Sequence, residues 1–313
     1  MNPVTRRAFL AQSTLAALAV PFGRACPQAS APQIAFPGDT RSRIAVSSYP
    51  FRDFIQGQHD SPAEAGKKPL VLKDFPAHAA EKFGIRRIEP WSEHFLSTAP
   101  AYLDEFHNAA AKAGVSIINF AADHEDSFYA PDAATRARAV AFGKQWLDIA
   151  ARLGSPSVRI SQPPSGHAKP NLALVRESLH PLADYAASRN VVIHLENDNP
   201  LSEDPFFVAS LVDRLSSPWI RALPDFGNSL AALPSDDAYR GLDEMFVRAY
   251  AISHVKPGTA NAAGQPVTVD LKRSFAIAKK HAFQGFFSME YESSGDPYEG
   301  TKQLIAATLA NLA

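Results

Sequence analysis

Three carboxylic acids and one imidazole recur at regular intervals in the C-terminal half of the chain: Glu196, Asp225, His254 and Glu290, separated by 29, 29 and 36 positions. Each closes or directly follows a short apolar run: Val191 to Glu196, Ile220 to Pro224, Ala249 to Val255 and Gly285 to Glu290. A mixed set of oxygen and nitrogen donors suits one divalent metal ion (Mn, Zn, Co or Mg) and leaves coordination positions for a substrate's oxygens. Without a cation, acceptors crowded at one place would repel one another. Each residue alone has a plain structural explanation: Asp225 as a helix N-cap, His254 as a satisfied core histidine, a lone Glu as a solvated strand end. Four of them closing four successive strands make the metal site the stronger reading.

The elements that must position them follow a repeating cycle from about residue 43: helical pattern, Gly or Asn, short apolar strand, polar residue. Four helices close at Gly84, Gly114, Gly154 and Asn190, the residue types that accept the left-handed conformation past a helix end. In the third, Val140, Gly143, Leu147, Ala150 and Leu153 fall on one face, as the helical period requires. Eight strands are expected: Ile44 to Ser48, Arg87 to Glu89, Val115 to Asn119, Ser157 to Ser161, and the four that carry the candidate ligands. Helical segments separate all of them, so the strands run parallel. Eight such units in one α/β domain predict a (β/α)₈ TIM barrel, whose chemistry sits at the C-terminal strand ends. No glycine-rich phosphate turn follows an early strand, so nothing points to a dinucleotide fold.

The chain has 313 residues, 46% hydrophobic and 20% charged, with a formal net charge of −1. No basic field is present to hold a phosphate backbone, which argues against nucleic acid as a partner. The first residues are set apart. Arg6-Arg7 with Phe9-Leu10 and the apolar run Leu15 to Val20 have the pattern of a twin-arginine export signal. The run is far short of the roughly 20 residues that span a bilayer, so no transmembrane segment is expected. The expected division is a signal peptide over residues 1–31, a linker over 32–42 and the barrel over 43–313, with a periplasmic location. Cys26 is the only cysteine; it sits in a degenerate lipoprotein-like context and leaves the barrel without disulfides or thiolate ligands. Nothing speaks against a homo-oligomer.

The stretches around the four ligands, Ile193-His194-Leu195-Glu196-Asn197, Leu223-Pro224-Asp225-Phe226-Gly227-Asn228, Ser253-His254-Val255-Lys256 and Ser288-Met289-Glu290-Tyr291, resemble the xylose-isomerase-like barrels, the sugar phosphate isomerases/epimerases. The resemblance extends over the whole chain after the signal. It implies a Glu–Asp–His–Glu metal site in which Glu196 and Glu290 also carry out proton transfer. In such chemistry a sugar carbonyl and its neighbouring hydroxyl chelate the metal, which stabilises the enediolate left when the α-carbon loses a proton. One carboxylate takes that proton and the other returns one. Return to the opposite face is epimerisation, return to the adjacent carbon is isomerisation, and loss of a β-substituent is elimination.

Two departures matter. Ketose 3-epimerases of this family carry a substrate-binding His three positions after the strand-six Asp, where this chain has Asn228, and an Arg about six positions after the strand-seven His, where it has Ala260. Further substrate-binding candidates are Lys256, two residues past His254, and Glu89 and Trp91 after strand two, where an aromatic can stack on a sugar face. His124 belongs to the polar cluster Asp123-His124-Glu125 after strand three. Tyr49, Phe51 and Arg52 follow strand one. His194 shares a strand face with Glu196 and is expected one layer deeper. The expected activity is a metal-dependent sugar isomerase or epimerase acting on a small carbohydrate or glycoside. The alternatives are a 3-keto-glycoside lyase using the same site, and a non-catalytic periplasmic sugar-binding protein.

Overall fold

The computed structural model describes residues 31–58 and 69–313. The expected export signal and Cys26 lie outside the described residues. The strands are β1 (Ile44–Ser47), β2 (Arg87–Glu89), β3 (Ser116–Ile117), β4 (Ala121–Ala122), β5 (Ser157–Ile160), β6 (Val192–Glu196), β7 (Ile220–Leu223), β8 (Ile252–Val255), β9 (Gly258–Ala260), β10 (Pro266–Thr268) and β11 (Phe286–Met289). The helices are α1 (Phe75–Phe83), α2 (Pro100–Ala113), α3 (Ala133–Leu153), α4 (Leu172–Arg189), α5 (Pro205–Leu215), α6 (Ser235–Arg248), α7 (Leu271–Lys280) and α8 (Pro297–Leu312).

Two parallel ladders make the barrel wall, one ordered β3-β2-β1-β11-β8 and the other β4-β5-β6-β7. Single bridges join them, Trp91 to Ala121 on one side and Ala222 to Ala249 and Asp225 to His254 on the other, so the sheet closes on itself. This is the expected TIM barrel. Gly84, Gly114, Gly154 and Asn190 all sit at positive φ directly after α1, α2, α3 and α4. The third expected strand, Val115 to Asn119, is shortened to β3, and a further short strand, β4, follows beyond it. The chain turns at Ile118 to Phe120, so β3 ladders with β2 and β4 with β5, with a single bridge from β4 back to Trp91. The turn brings the Asn119 side chain inward, where Nδ2 donates to Glu89 Oε1 at 2.6 Å. The hairpin of β9 and β10 was not anticipated; its turn closes on Asn261 and Gly264.

The main core lies between wall and helices. On α3 it takes in Gly143, Leu147, Ala150 and Leu153, with Val140 half-buried against it. A second, smaller core closes the N-terminal end of the barrel, formed by Ala45, Ile118, Leu223, Ile252 and Phe286 with Ile34 and Phe36 packed beneath. Residues 32–42 are therefore not a free linker. Pro32, Ile34 and Phe36 alternate inward, Tyr250 Oη donates to the Pro32 carbonyl at 3.0 Å, and Phe36 meets the rings of Tyr250 and Phe286 edge-on. The period-two pattern of an extended strand places these apolar side chains as a plug. Among the described residues no helix is long and apolar enough to cross a membrane.

Candidate metal centre

Glu196 is the last residue of β6, His254 lies near the end of β8, Glu290 directly follows β11, and Asp225 lies two residues beyond β7. Wall curvature therefore aims all four at one point of the mouth, and their ligand atoms lie within 4.8 Å of one another. An ion with bonds of about 2.1 Å holds its donors at most about 4.2 Å apart, so only a small contraction separates this arrangement from a coordination shell. All four are at least 95% buried.

The hydrogen bonds around the cluster sort its atoms into held and unheld ones. Asp225 Oδ1 accepts from the backbone N–H groups of Gly227 and Asn228 at 2.8 and 2.6 Å, while its Oδ2 is buried with no hydrogen-bond partner. This oxygen has only a 3.6 Å ion pair with Lys256 Nζ and faces the His254 imidazole at 4.0 Å, and a buried carboxylate oxygen so weakly held beside two further carboxylates is what a cation site requires. Asn197 brackets the Asp225 backbone, donating to its carbonyl and accepting from its N–H. His254 Nδ1 points into the cluster, 2.8 Å from Glu196 Oε1 and 3.3 Å from Glu290 Oε2. Its Nε2 lies 3.0 Å from both oxygens of Glu89. A proton on Nε2 held by Glu89 leaves the Nδ1 lone pair for a metal, the carboxylate–histidine–metal relay.

Charge balance in the cluster is uneven. Burial raises Asp225 to about 6, with Lys256 opposing and Glu196 adding, and raises Glu290 to about 8 against the pull of His254 and Lys256. Burial acts the same way on Glu196 but is outweighed by His254 and Arg159, which hold it well below the usual carboxylate range. Burial disfavours a charged His254, yet Glu290, Glu89 and Glu196 together raise it well above the usual imidazole range. Cationic groups are being recruited by an excess of carboxylates.

The remaining sequence candidates divide. Trp91 and Lys256 line the pocket over the cluster, together with Tyr49, Asp123, Arg159, Asp198 and Glu292. Trp91 Nε1 donates to Asp123 Oδ2 at 2.6 Å and its ring meets Tyr49 edge-on. Lys256 Nζ donates to Asn228 Oδ1 at 2.8 Å and Glu292 Oε2 at 2.9 Å. Asn228 lies at the rim, its Nδ2 3.3 Å from Glu196 Oε1. Glu89 does not face the pocket: it is fully buried, and its carboxylate meets the back of the His254 ring and the Asn119 amide. His124 does not face it either. Consecutive residues of an extended chain point to opposite sides, so Asp123 takes the mouth. His124 bonds the Ser161 carbonyl at 3.0 Å and packs on Phe128 and Phe142. Phe51 is core and Arg52 lies outside the pocket, while His194 is fully buried beneath Glu196, as expected.

Arg159 was missed. It is 95% buried, its Nε donates to Glu196 Oε2 at 2.7 Å, Nη2 to Asp198 Oδ2 at 2.8 Å, and Nη1 pairs with Asp123. The signal was there in parity: Arg159 is two positions before the mouth residue Ser161, hence on its inward face. Asp198 and Glu292 lie two positions past Glu196 and Glu290, share their parity and line the same pocket.

The chain matches the family described as xylose isomerase-like TIM barrel over residues 77–311, and it belongs to that family. No curated protein matches it in sequence. Solved structures share its fold at low identity. A xylose isomerase-like TIM barrel protein from Mycobacterium smegmatis in complex with magnesium is 16% identical, with a TM-score of 0.64, over 86% of this chain and 97% of that one. D-psicose 3-epimerase with D-tagatose from Clostridium cellulolyticum H10 is 14% identical, with a TM-score of 0.61, over 86% and 96%. The 3-keto-D-glucoside 4-epimerase from E. coli is 13% identical, with a TM-score of 0.63, over 85% and 98%.

Proposed function

We propose that this member of the xylose isomerase-like TIM barrel family is a divalent-metal-dependent sugar isomerase or epimerase, with Glu196, Asp225, His254 and Glu290 as ligands. The observation that carries the reading is the convergence of these four buried side chains on one point, with Asp225 Oδ2 free of any hydrogen bond and held only by a 3.6 Å ion pair with Lys256. Solved epimerases of sugars and of a keto-glucoside with the same fold support it. When bound, the ion polarises a substrate carbonyl and its neighbouring hydroxyl and lowers the cost of negative charge there.

The protein's own groups then divide the work. Glu89 and Asn197 orient His254 and Asp225. Glu196 has both oxygens engaged, Oε1 near His254 and Asn228 and Oε2 with Arg159, so it is fixed in place beside the reacting carbon. Glu290 Oε1 accepts only a 3.3 Å hydrogen bond from Ser47, which leaves it able to exchange a proton with substrate. Lys256 and Arg159 both line the pocket and are the cationic donors for substrate hydroxyls there. The twin-arginine pattern supports action in the periplasm, and the net charge of −1 supports a small carbohydrate in place of nucleic acid.

A second reading, β-elimination from a 3-keto-glycoside, is favoured by one observation. Asn228 is tied to Lys256 and Ala260 is exposed on β9, at the positions where the ketose epimerases have sugar-binding His and Arg. In that reaction the C2 proton passes to one carboxylate, the C–H electron pair becomes a C1–C2 double bond as the C1–O bond breaks, and the other carboxyl group protonates the departing oxygen, so the aglycone leaves as the neutral alcohol. Incubating metal-loaded protein with a 3-keto-glucoside in D₂O separates the readings. Deuterium at the α-carbon with mass otherwise conserved indicates epimerisation, and free alcohol indicates elimination. Saturable binding with no exchange would leave only a sugar-binding protein.

A further inference from the structure

The pocket directly over the metal centre has a volume of about 80 Å³, whereas a cavity on the order of 150 Å³ is what a single benzene ring fills. A substrate whose reacting carbon reaches Glu196 and Glu290 must therefore extend beyond it. Glu292 lines this pocket and also lines a neighbouring cleft of about 700 Å³, within the size range usual for ligand sites. Tyr49 borders the small pocket, and the Arg52 guanidinium, which lies over the Tyr49 ring at 4.5 Å, borders the cleft. The two spaces are thus neighbours that share a wall, formed by Glu292 after β11 and the stacked Arg52–Tyr49 pair after β1.

The cleft has the chemistry of a saccharide site. Phe54, Tyr291 and Tyr298 supply aromatic surface, and Arg52, Asp53 and Asp296 supply hydrogen-bonding charges around it. Aromatic faces take the C–H face of a pyranose while carboxylate and guanidinium groups take its hydroxyls. The aromatic wall is held in place. Tyr291 packs so closely on α8 that a Cβ at Gly300 would lie 2.3 Å from its ring, and its Oη donates to the Ser294 carbonyl at 2.7 Å. Tyr298 meets Phe54 edge-on at 5.6 Å.

We propose that this cleft is a second saccharide subsite, and that the substrate is a glycoside whose second pyranose ring lies there while the first reaches the metal centre. The inference rests on the proposed chemistry at that centre. It is tested by calorimetric titration of metal-loaded protein with D-glucose and with cellobiose, for wild type and Ser293→Trp. Ser293 is an exposed residue of the cleft wall. Wild type is expected to bind cellobiose at least about tenfold tighter than glucose, and Ser293→Trp to lose that preference with its metal content unchanged. Equal affinities, no binding of cellobiose to wild type, or a preference that survives Ser293→Trp would each overturn the proposal. If Ser293→Trp does not fold, Arg52→Ala decides, with a severalfold loss for cellobiose alone as the expected result and no change as the contrary one. Wild type that holds no metal would refute the reaction proposed above, while the cellobiose titration of that same protein would still report on the cleft.

Discussion

At the scale of single residues, the centre is organised by side chains that touch no substrate. Glu89 fixes which nitrogen of His254 faces the cluster, and outer partners of this kind typically contribute 10- to 100-fold in metal affinity. Glu89→Gln is therefore expected to weaken metal binding by about tenfold or more in competition with a chelator, and an unchanged affinity would remove Glu89 from the account. The pH dependence follows from the raised carboxylates. Glu290, raised to about 8, Asp225, raised to about 6, and His254, held protonated well above the usual imidazole range, must all release protons before they ligate a cation, so metal affinity is expected to rise with pH from about 6 upward. Proton release on metal addition, read with an indicator dye, checks the sign; proton uptake would contradict it. The four ligands were legible from sequence because each closes an apolar run. Parity places Arg159 on the inward face, but its role and that of Glu89 lie in contacts between strands, Arg159 with Glu196 and Glu89 with His254, which no single run displays.

At the scale of elements, strand ends position the chemistry and helix closures set the strand ends. The closures were legible in the sequence: Gly154 and Asn190 each accept a left-handed backbone that ends one helix and turns the chain into the next strand. The break between β3 and β4 was not legible, because it depends on Asn119 reaching Glu89 on the neighbouring strand, a contact that its own run does not display. Helix packing is equally specific. A Cβ at Gly143 on α3 would lie 2.9 Å from Leu182 on α4 and 3.3 Å from Ile160 on β5. Replacing it by alanine gains about 1 kcal/mol of helix propensity, while overpacking costs roughly 1–3 kcal/mol. Gly143→Ala is thus expected to lower stability by up to about 2 kcal/mol in urea unfolding, and a stabilised variant would show that α3 and α4 separate freely.

At the scale of the whole molecule, the barrel is closed at its N-terminal end by residues expected to form a linker. Ile34 and Phe36 are half-buried against the lower core, and each such side chain contributes on the order of 1 kcal/mol through burial of apolar surface. A protein beginning at residue 38 is expected to melt several degrees below one beginning at residue 32; equal melting temperatures would mean the plug adds nothing. The opposite end carries the proposed function, and its central claim is that one cation is shared by four strand-end residues. The most direct test is elemental analysis of protein purified without chelator, comparing wild type with Glu290→Gln and His254→Ala. About one equivalent of a divalent metal in the wild type, with less in both variants while their folded content is unchanged, is the result expected. No metal in the wild type after reconstitution, or equal metal in all three proteins, would contradict the account.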